Sequence, residues 1–83
     1  MKQYNGHRSW NAWNVCLWIS NTENLYSYAI RCIENAKLST KSKQATLNKA
    51  TRSMCNTLQG DKTPDGAVYN RLSIKLTLES FME

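Results

Sequence analysis

Long apolar runs, proline and glycine are all scarce in this sequence of 83 residues. The longest apolar run covers residues 15–19, far short of the roughly 20 residues that cross a bilayer, and residues 1–4 open no signal-peptide pattern. We therefore expect a cytoplasmic protein with no membrane partner. One Pro, three Gly and 41% hydrophobic residues are typical of an ordered chain.

Cysteine and histidine are also few. The three cysteines, Cys16, Cys32 and Cys55, are odd in number and form no C-x-x-C pair. This pattern argues against a disulfide framework and favours small buried residues in a reducing compartment. A zinc site needs about four ligands, which one histidine without a close cysteine pair does not supply. We expect neither a metal nor a cofactor.

Catalytic side chains are equally scarce. His7 is the single histidine, so any serine or cysteine nucleophile would have to be activated by it. The six carboxylates occupy positions typical of caps, turns and helix faces. Gly6, Gly60 and Gly66 are isolated, so no phosphate-binding loop of the G-x-x-x-x-G-K type is present. These absences predict a protein that is not an enzyme.

Helix signals, by contrast, recur along the chain. Ser9 is placed to cap a first helix over residues 10–19. Residues 20–23 read S-x-x-E, the pattern of a capping box, and predict a second helix over residues 21–36. Ser39 or Thr40 is placed to cap a third helix that ends near Gly60. The apolar stripes of the second and third helices are Leu25, Ala29, Cys32 and Ala36, then Leu47, Ala50, Met54 and Leu58.

The last third of the chain carries two patterns at once. Apolar and polar residues alternate over residues 72–79 as in a half-buried strand, but no second alternating segment is present to pair with it. Helical spacing is also present, on one stripe of Val68, Leu72 and Leu76 and another of Ile74, Leu78 and Phe81. We predict a fourth helix introduced by a turn at TPDG, residues 63–66, with a strand over residues 70–81 as the alternative.

The predicted fold is all-α, a compact bundle of three to four short helices that forms a single domain over residues 1–83. Helices joined by such short turns must pack as neighbours. The predicted core consists of Trp13, Leu17, Ile19, Leu25, Ala29, Ile33, Leu47, Met54, Leu72 and Leu76.

All three tryptophans lie on the first helix. On a helical wheel Trp13 shares the apolar arc and is predicted to be core, whereas Trp18 falls between the polar residues Asn11 and Asn14. An indole beside two amides can stack and donate hydrogen bonds, as a binding hot spot does. The alternative is that Trp18 packs beneath another element while Asn11 and Asn14 bond to loop backbone.

Positive charge is the second functional signal. Eleven Lys and Arg face six acidic residues, for a net charge of +5, which favours an acidic partner and excludes mimicry of DNA. The basic residues concentrate on or near the third helix, and His7 and Arg8 stand close to the tryptophans. Such a face can follow an acidic protein surface or a phosphate backbone, or it can simply be solvated. No recognised nucleic-acid motif accompanies it. The third-helix cluster is Lys37, Lys41, Lys43, Lys49 and Arg52.

Two stretches, YNGHRSWNAWNVCLWISN from Tyr4 to Asn21 and TPDGAVYN from Thr63 to Asn70, resemble a family of small uncharacterised proteins associated with phages and related mobile elements. In that family the same residues follow in the order seen here over residues 4–19. Residues 37–59 show no such resemblance, and the segment after TPDG is more plainly helical in the family than here. The resemblance implies an origin rather than an activity.

Phage proteins of this size that are not enzymes often act by binding, which the resemblance implies here. We predict a small non-enzymatic accessory protein that binds and inhibits or redirects a host protein complex, such as an antiviral defence complex, in the manner of an anti-CRISPR protein. The alternative is a nucleic-acid-binding protein that uses its basic helical face. The predicted partner-binding residues are His7, Arg8, Asn11, Asn14, Trp18, Lys41, Lys49 and Arg52.

Overall fold

Four α-helices make up most of the structure, a computed structural model that describes residues 9–58 and 60–82. The all-α prediction is confirmed, and the C-terminal segment is a helix, so the strand alternative is wrong. The helices are α1 (Trp10–Asn21), α2 (Glu23–Lys37), α3 (Lys43–Leu58) and α4 (Arg71–Phe81).

The boundary between the first two helices differs from the prediction. Ser9 caps α1 as expected, because its hydroxyl accepts a hydrogen bond from the Ala12 amide at 3.2 Å. The predicted capping box at residues 20–23 is wrong: Ser20 lies inside α1, and Thr22 alone separates the two helices, with no side-chain cap bond. The α1 ladder continues to the Thr22 amide, which donates to the Trp18 carbonyl at 3.0 Å. Ser20 therefore has helical backbone geometry and cannot take the extended conformation that an N-cap residue of α2 needs.

The start of α3 also lies later than predicted. Ser42, not Ser39 or Thr40, caps this helix by accepting a hydrogen bond from the Ala45 amide at 3.0 Å. The Thr40 hydroxyl instead donates to the Ala36 carbonyl at 2.7 Å, which satisfies one of the open carbonyls at the end of α2. Lys41 therefore lies in the connection before α3 rather than on the helix itself.

The helices form a ring in which each packs on its two neighbours, and α2 and α4 also touch across it. α1 packs on α2 and α4, and α3 packs on the same two helices, so α1 and α3 stand on opposite sides of the described bundle. The core lies between them, and the apolar stripe predicted for α3 is confirmed. The buried core comprises Val15, Ile19, Ala29, Cys32, Ile33, Ala36, Leu47, Ala50, Met54, Leu58, Ala67, Tyr69, Ile74 and Leu78.

Part of the predicted core is wrong. Leu72 is 50% exposed, and Leu76, Trp13 and Leu17 are only half-buried. Leu25 is also half-buried, but it packs against the core as predicted. α4 turns its Ile74 and Leu78 stripe inward, so the stripe that contains Leu72 faces away from the core.

A short hairpin over residues 61–69, called here the 61–69 hairpin, joins α3 to α4. Its tip is the predicted TPDG turn, in which the Gly66 amide donates to the Thr63 carbonyl at 2.8 Å. Gly66 has φ +95°, a conformation that favours glycine. Lys62 and Val68 form an antiparallel bridge across the hairpin. The sequence analysis predicted a turn followed by a helix here, and it did not predict the bridge between Lys62 and Val68.

Leu72 and Leu78 lie on different faces of α4, so replacing each of them by alanine tests the packing. Leu78→Ala should lower the free energy of unfolding by about 2–5 kcal/mol, because Leu78 is 0% exposed and its loss leaves a cavity. Leu72→Ala is the matched control on the same helix and should cost less than about 1 kcal/mol. Urea unfolding followed by circular dichroism measures both. Equal losses would contradict the assignment of the two faces.

Candidate functional site

One polar stripe on α1 binds the 61–69 hairpin. Asn11, Asn14 and Trp18 follow the helical spacing i, i+3, i+7, so their side chains share one face. The return side of the hairpin, residues 65–68, runs antiparallel to α1 across this face, so that Val68 bonds to Asn11 and Asp65 bonds to Trp18. The stripe therefore forms an intramolecular contact with the hairpin.

Asn11 holds the return side of the hairpin. Its Oδ1 accepts from the Val68 amide at 2.8 Å, and its Nδ2 donates to the Val68 carbonyl at 2.9 Å. A side-chain amide carries one acceptor and a donor group, so it pairs with the backbone of Val68 as a neighbouring strand would. The same Nδ2 also donates to the Ser73 hydroxyl at 2.9 Å, which ties the first turn of α4 to α1.

Asn14 is the buried centre of the contact. Its side chain is 1% exposed; its Oδ1 accepts from the Thr63 hydroxyl at 2.6 Å, and its Nδ2 donates to Asp65 Oδ2 at 2.9 Å. The Thr63 oxygen also accepts from the Ala67 amide at 3.0 Å, which braces the turn from inside. Buried polar groups are costly without partners, and here both ends of the amide have one.

Asp65 joins the tip of the hairpin to Trp18. The Asp65 Oδ2 that accepts from Asn14 also accepts from the indole Nε1 of Trp18 at 2.9 Å. These two hydrogen bonds, first from Asn14 and then from Trp18, favour the charged carboxylate and lower the pKa of Asp65 from its ordinary value of 3.8. Trp18 stays half-buried and borders a shallow apolar depression of about 180 Å³ with Leu17 and Asn21.

The expectation that Asn11 and Asn14 lie on an open binding face is therefore wrong. Both amides bind the hairpin. Asn11 bonds to its backbone, as the alternative interpretation of the stripe predicted, whereas Asn14 bonds to the side chains of Thr63 and Asp65. Trp18 also bonds to the hairpin, although part of its side chain stays accessible, and its role in partner binding stays a prediction. His7 and Arg8 lie outside the described residues.

The sequence interpretation missed Thr63 and Asp65 as partners of this stripe. A signal was present, since an amide face at helical spacing and a carboxylate in a tight turn are complementary hydrogen-bonding groups. The contact also links the two stretches on which the phage-family resemblance rests, because Asn11, Asn14 and Trp18 belong to the first and the hairpin tip to the second. Those two stretches form one structural unit.

A second candidate surface, the basic strip of Lys41, Lys49 and Arg52, lies on and beside α3. All three residues are exposed, and Lys49 Nζ donates to the hydroxyl of Ser39, which places Lys49 against the connection that carries Lys41. Lys49 and Arg52 are three positions apart, so they share a face of α3. Residues 35–60 contain five basic residues and no carboxylate.

The basic strip does not join the Trp18 face. α1 and α3 stand on opposite sides of the described bundle, so the predicted partner-binding residues of these two helices lie on separate surfaces. The one ion pair within residues 9–58 and 60–82 joins Glu34 to Lys37, which leaves all of the basic strip without a carboxylate partner in those ranges.

The cysteines are the remaining reactive side chains. All three cysteines are free. Burial raises the pKa of the Cys32 and Cys55 thiols, so neither is activated as a thiolate. Residues 9–58 and 60–82 contain no group of three metal-ligating side chains, and none of the helices described there is long and apolar enough to cross a membrane.

A family described as a family of unknown function (DUF7249) matches this chain over residues 1–83. The chain therefore belongs to that family. Neither the comparison with curated proteins nor that with solved structures gives a match.

Removal of the buried amide tests the hairpin contact. Asn14→Ala should lower the free energy of unfolding by about 1–3 kcal/mol, because it leaves the Thr63 hydroxyl buried without its acceptor. Asn24→Ala, at an exposed position of α2, is the matched control and should change it by about 0.5 kcal/mol or less. Urea unfolding measures both. If the two variants lose equal stability, the amide does not hold the hairpin.

Acid should weaken the same contact through Asp65. Because the folded-state pKa of Asp65 lies below its ordinary value of 3.8, its contribution to stability is fully present above that value. The contribution is lost as the pH falls through the lower, folded-state pKa. The stability advantage of the natural protein over Asp65→Asn should therefore be constant near neutral pH and shrink below about pH 4. Urea unfolding over a pH series measures it, and an advantage that grows in acid would contradict the assignment.

Proposed function

We propose that this member of the DUF7249 family is a small non-enzymatic protein that binds an acidic surface of a partner protein complex through the basic strip. The observation that carries the proposal is the exposed, unpaired charge of Lys41, Lys49 and Arg52 on a segment without carboxylates. Exposed lysines and arginines that no carboxylate neutralises keep their charge available to an acidic surface.

The strip has the properties of an electrostatic steering surface. Exposed ion pairs contribute only about 0.2–1 kcal/mol each, so such charges act mainly on association rate and orientation. A stable contact also needs apolar area, and Leu38 supplies it beside the strip, since its side chain is 86% exposed in the connection that carries Lys41. A leucine this exposed contributes little to the fold, and in a complex it would be buried.

The nature of the partner rests on the phage-family resemblance of residues 4–21 and 63–70. That resemblance supports a phage or mobile-element origin, and hence a host protein complex in the cytoplasm, such as one of antiviral defence, as the target. Binding that inhibits or redirects such a complex requires no catalytic group of this chain.

A nucleic acid is the second candidate partner, favoured by the same positive charge. Proteins that bind single strands combine a basic groove with aromatic side chains on which bases stack. α3 contains no aromatic residue, and the exposed Trp10 and Tyr26 lie on α1 and α2. A protein partner is therefore the better fit to this surface.

A charge-reversal pull-down from host lysate tests the proposal. Lys41→Glu/Lys49→Glu should reduce the amount of captured protein about tenfold, because each substitution turns an attraction into a repulsion. Arg31→Glu/Lys62→Glu is the matched control, since it changes the net charge equally at exposed positions away from the strip. Circular dichroism checks that both variants fold.

The pull-down is repeated after nuclease treatment. Capture that survives nuclease and is lost only in Lys41→Glu/Lys49→Glu supports a protein partner. Loss of all captured protein on nuclease treatment would favour the nucleic-acid alternative, and equal loss in both double variants would mean that net charge, not the strip, drives binding.

A further inference from the structure

A cavity of about 380 Å³ opens between the last turns of α3 and the segment that leads into α4. It lies at the far end of α3 from Lys41 and is open on one side. Its volume falls at the lower end of the range of about 300–1,000 Å³ that is usual for small-molecule sites. The lining residues that matter here are Arg52, Cys55 and Asn56 of α3, with Tyr69, Asn70 and Arg71.

Two arginines from different helices border this cavity. Arg52 comes from α3 and Arg71 from the first turn of α4, and neither pairs with a carboxylate within residues 9–58 and 60–82. The side-chain amide of Asn56, also on the lining, makes no hydrogen bond in those same ranges. A guanidinium presents a rigid fork of donors that matches the two oxygens of a carboxylate or phosphate. The polar groups on this cavity are therefore predominantly donors with no internal acceptor.

The wall behind these donors is apolar. Tyr69 is 6% exposed and forms part of the core, and the half-buried Cys55 and the exposed Val68 continue the surface. Arg71 lines the same cavity as Cys55, and its positive charge opposes the rise that burial causes in the pKa of the Cys55 thiol. A ligand that fits must therefore combine an anionic end with an apolar body.

We propose that this cavity binds a small organic molecule that carries one phosphate or carboxylate group on a compact apolar body. The anionic group lies between Arg52 and Arg71, with Asn56 as a further donor, and the apolar body packs on Tyr69 and Cys55. Arg52 belongs both to this cavity and to the basic strip. Binding of a ligand in the cavity does not depend on the function proposed for the strip, because the ligand is a small molecule and the second cation belongs to α4.

The charges around the cavity agree with an anionic ligand. Burial and then the nearby charge of Asp61 raise the pKa of the Tyr69 hydroxyl, but Asp61 does not line the cavity. α4 carries no acidic residue in its first turn. The positive end of its helix dipole adds to the two guanidinium charges.

Titration with phenyl phosphate, followed by two-dimensional NMR of the backbone amides, tests the site. Phenyl phosphate should shift the resonances of residues 55, 56 and 69–71, and inorganic phosphate and phenol should each bind at least about tenfold more weakly, because each supplies only half of the contacts. A benzoate titration distinguishes the two anionic groups: tighter binding of benzoate identifies a carboxylate ligand, and tighter binding of phenyl phosphate identifies a phosphate.

Arg71→Gln should weaken phenyl phosphate binding about tenfold or more, since it removes one charge-assisted contact. Arg31→Gln, at an exposed position of α2 outside the cavity, is the matched control and should leave the affinity unchanged. Equal weakening by both variants, or phenol binding as tightly as phenyl phosphate, would overturn the proposal. Both arginines remain in Lys41→Glu/Lys49→Glu, so this result and that of the pull-down are independent.

The two half-buried cysteines provide a readout that needs no substitution. Saturating phenyl phosphate should slow alkylation of Cys55 by iodoacetamide several-fold, because Cys55 lies on the cavity wall, and should leave Cys16 unaffected. Peptide mass spectrometry measures the two rates in one sample. Equal rates at Cys55 with and without ligand would overturn the placement of the ligand.

Discussion

The buried amide of Asn14 is the contact on which the rest of the site depends. An amide that is 1% exposed needs a partner for its oxygen and for its nitrogen, and both partners come from the tip of the 61–69 hairpin. That requirement seats the hairpin on α1 in one register. Once the hairpin is seated, Asn11 meets the Val68 backbone, and the start of α4 is set through Ser73.

The ring of helices separates two surfaces that the sequence suggested as one. α1 uses its polar face to hold the hairpin, and α3, on the opposite side of the described bundle, keeps its charged face exposed. The contact that holds the hairpin and the surface proposed for partner binding therefore lie on different helices. The lone carboxylate at the hairpin tip, Asp65, is engaged with α1, so it does not neutralise the basic residues across the molecule.

Local signals predicted elements better than they predicted contacts. Ser9 caps α1 as its position indicated, but the S-x-x-E pattern at residues 20–23 does not cap α2, because Ser20 lies inside α1. Ser42 rather than Ser39 or Thr40 caps α3, and Thr40 instead donates its hydroxyl to the end of α2. The caps of α2 and α3 thus depend on where the preceding helix ends, which a pattern of single residues does not contain.

Sequence alone determined the helical class, the inward stripe of α3 and the excess of positive charge around it, because periodicity and charge are properties of residues in order. Only the tertiary structure decided which stripe of α4 faces inward, since Leu72 and Leu78 are chemically the same and differ only in what packs against them. The tertiary structure also decided what Asn11, Asn14 and Trp18 bind. A polar stripe can meet a partner protein or a loop of its own chain with the same hydrogen bonds, and the choice depends on where the 61–69 hairpin lies in space.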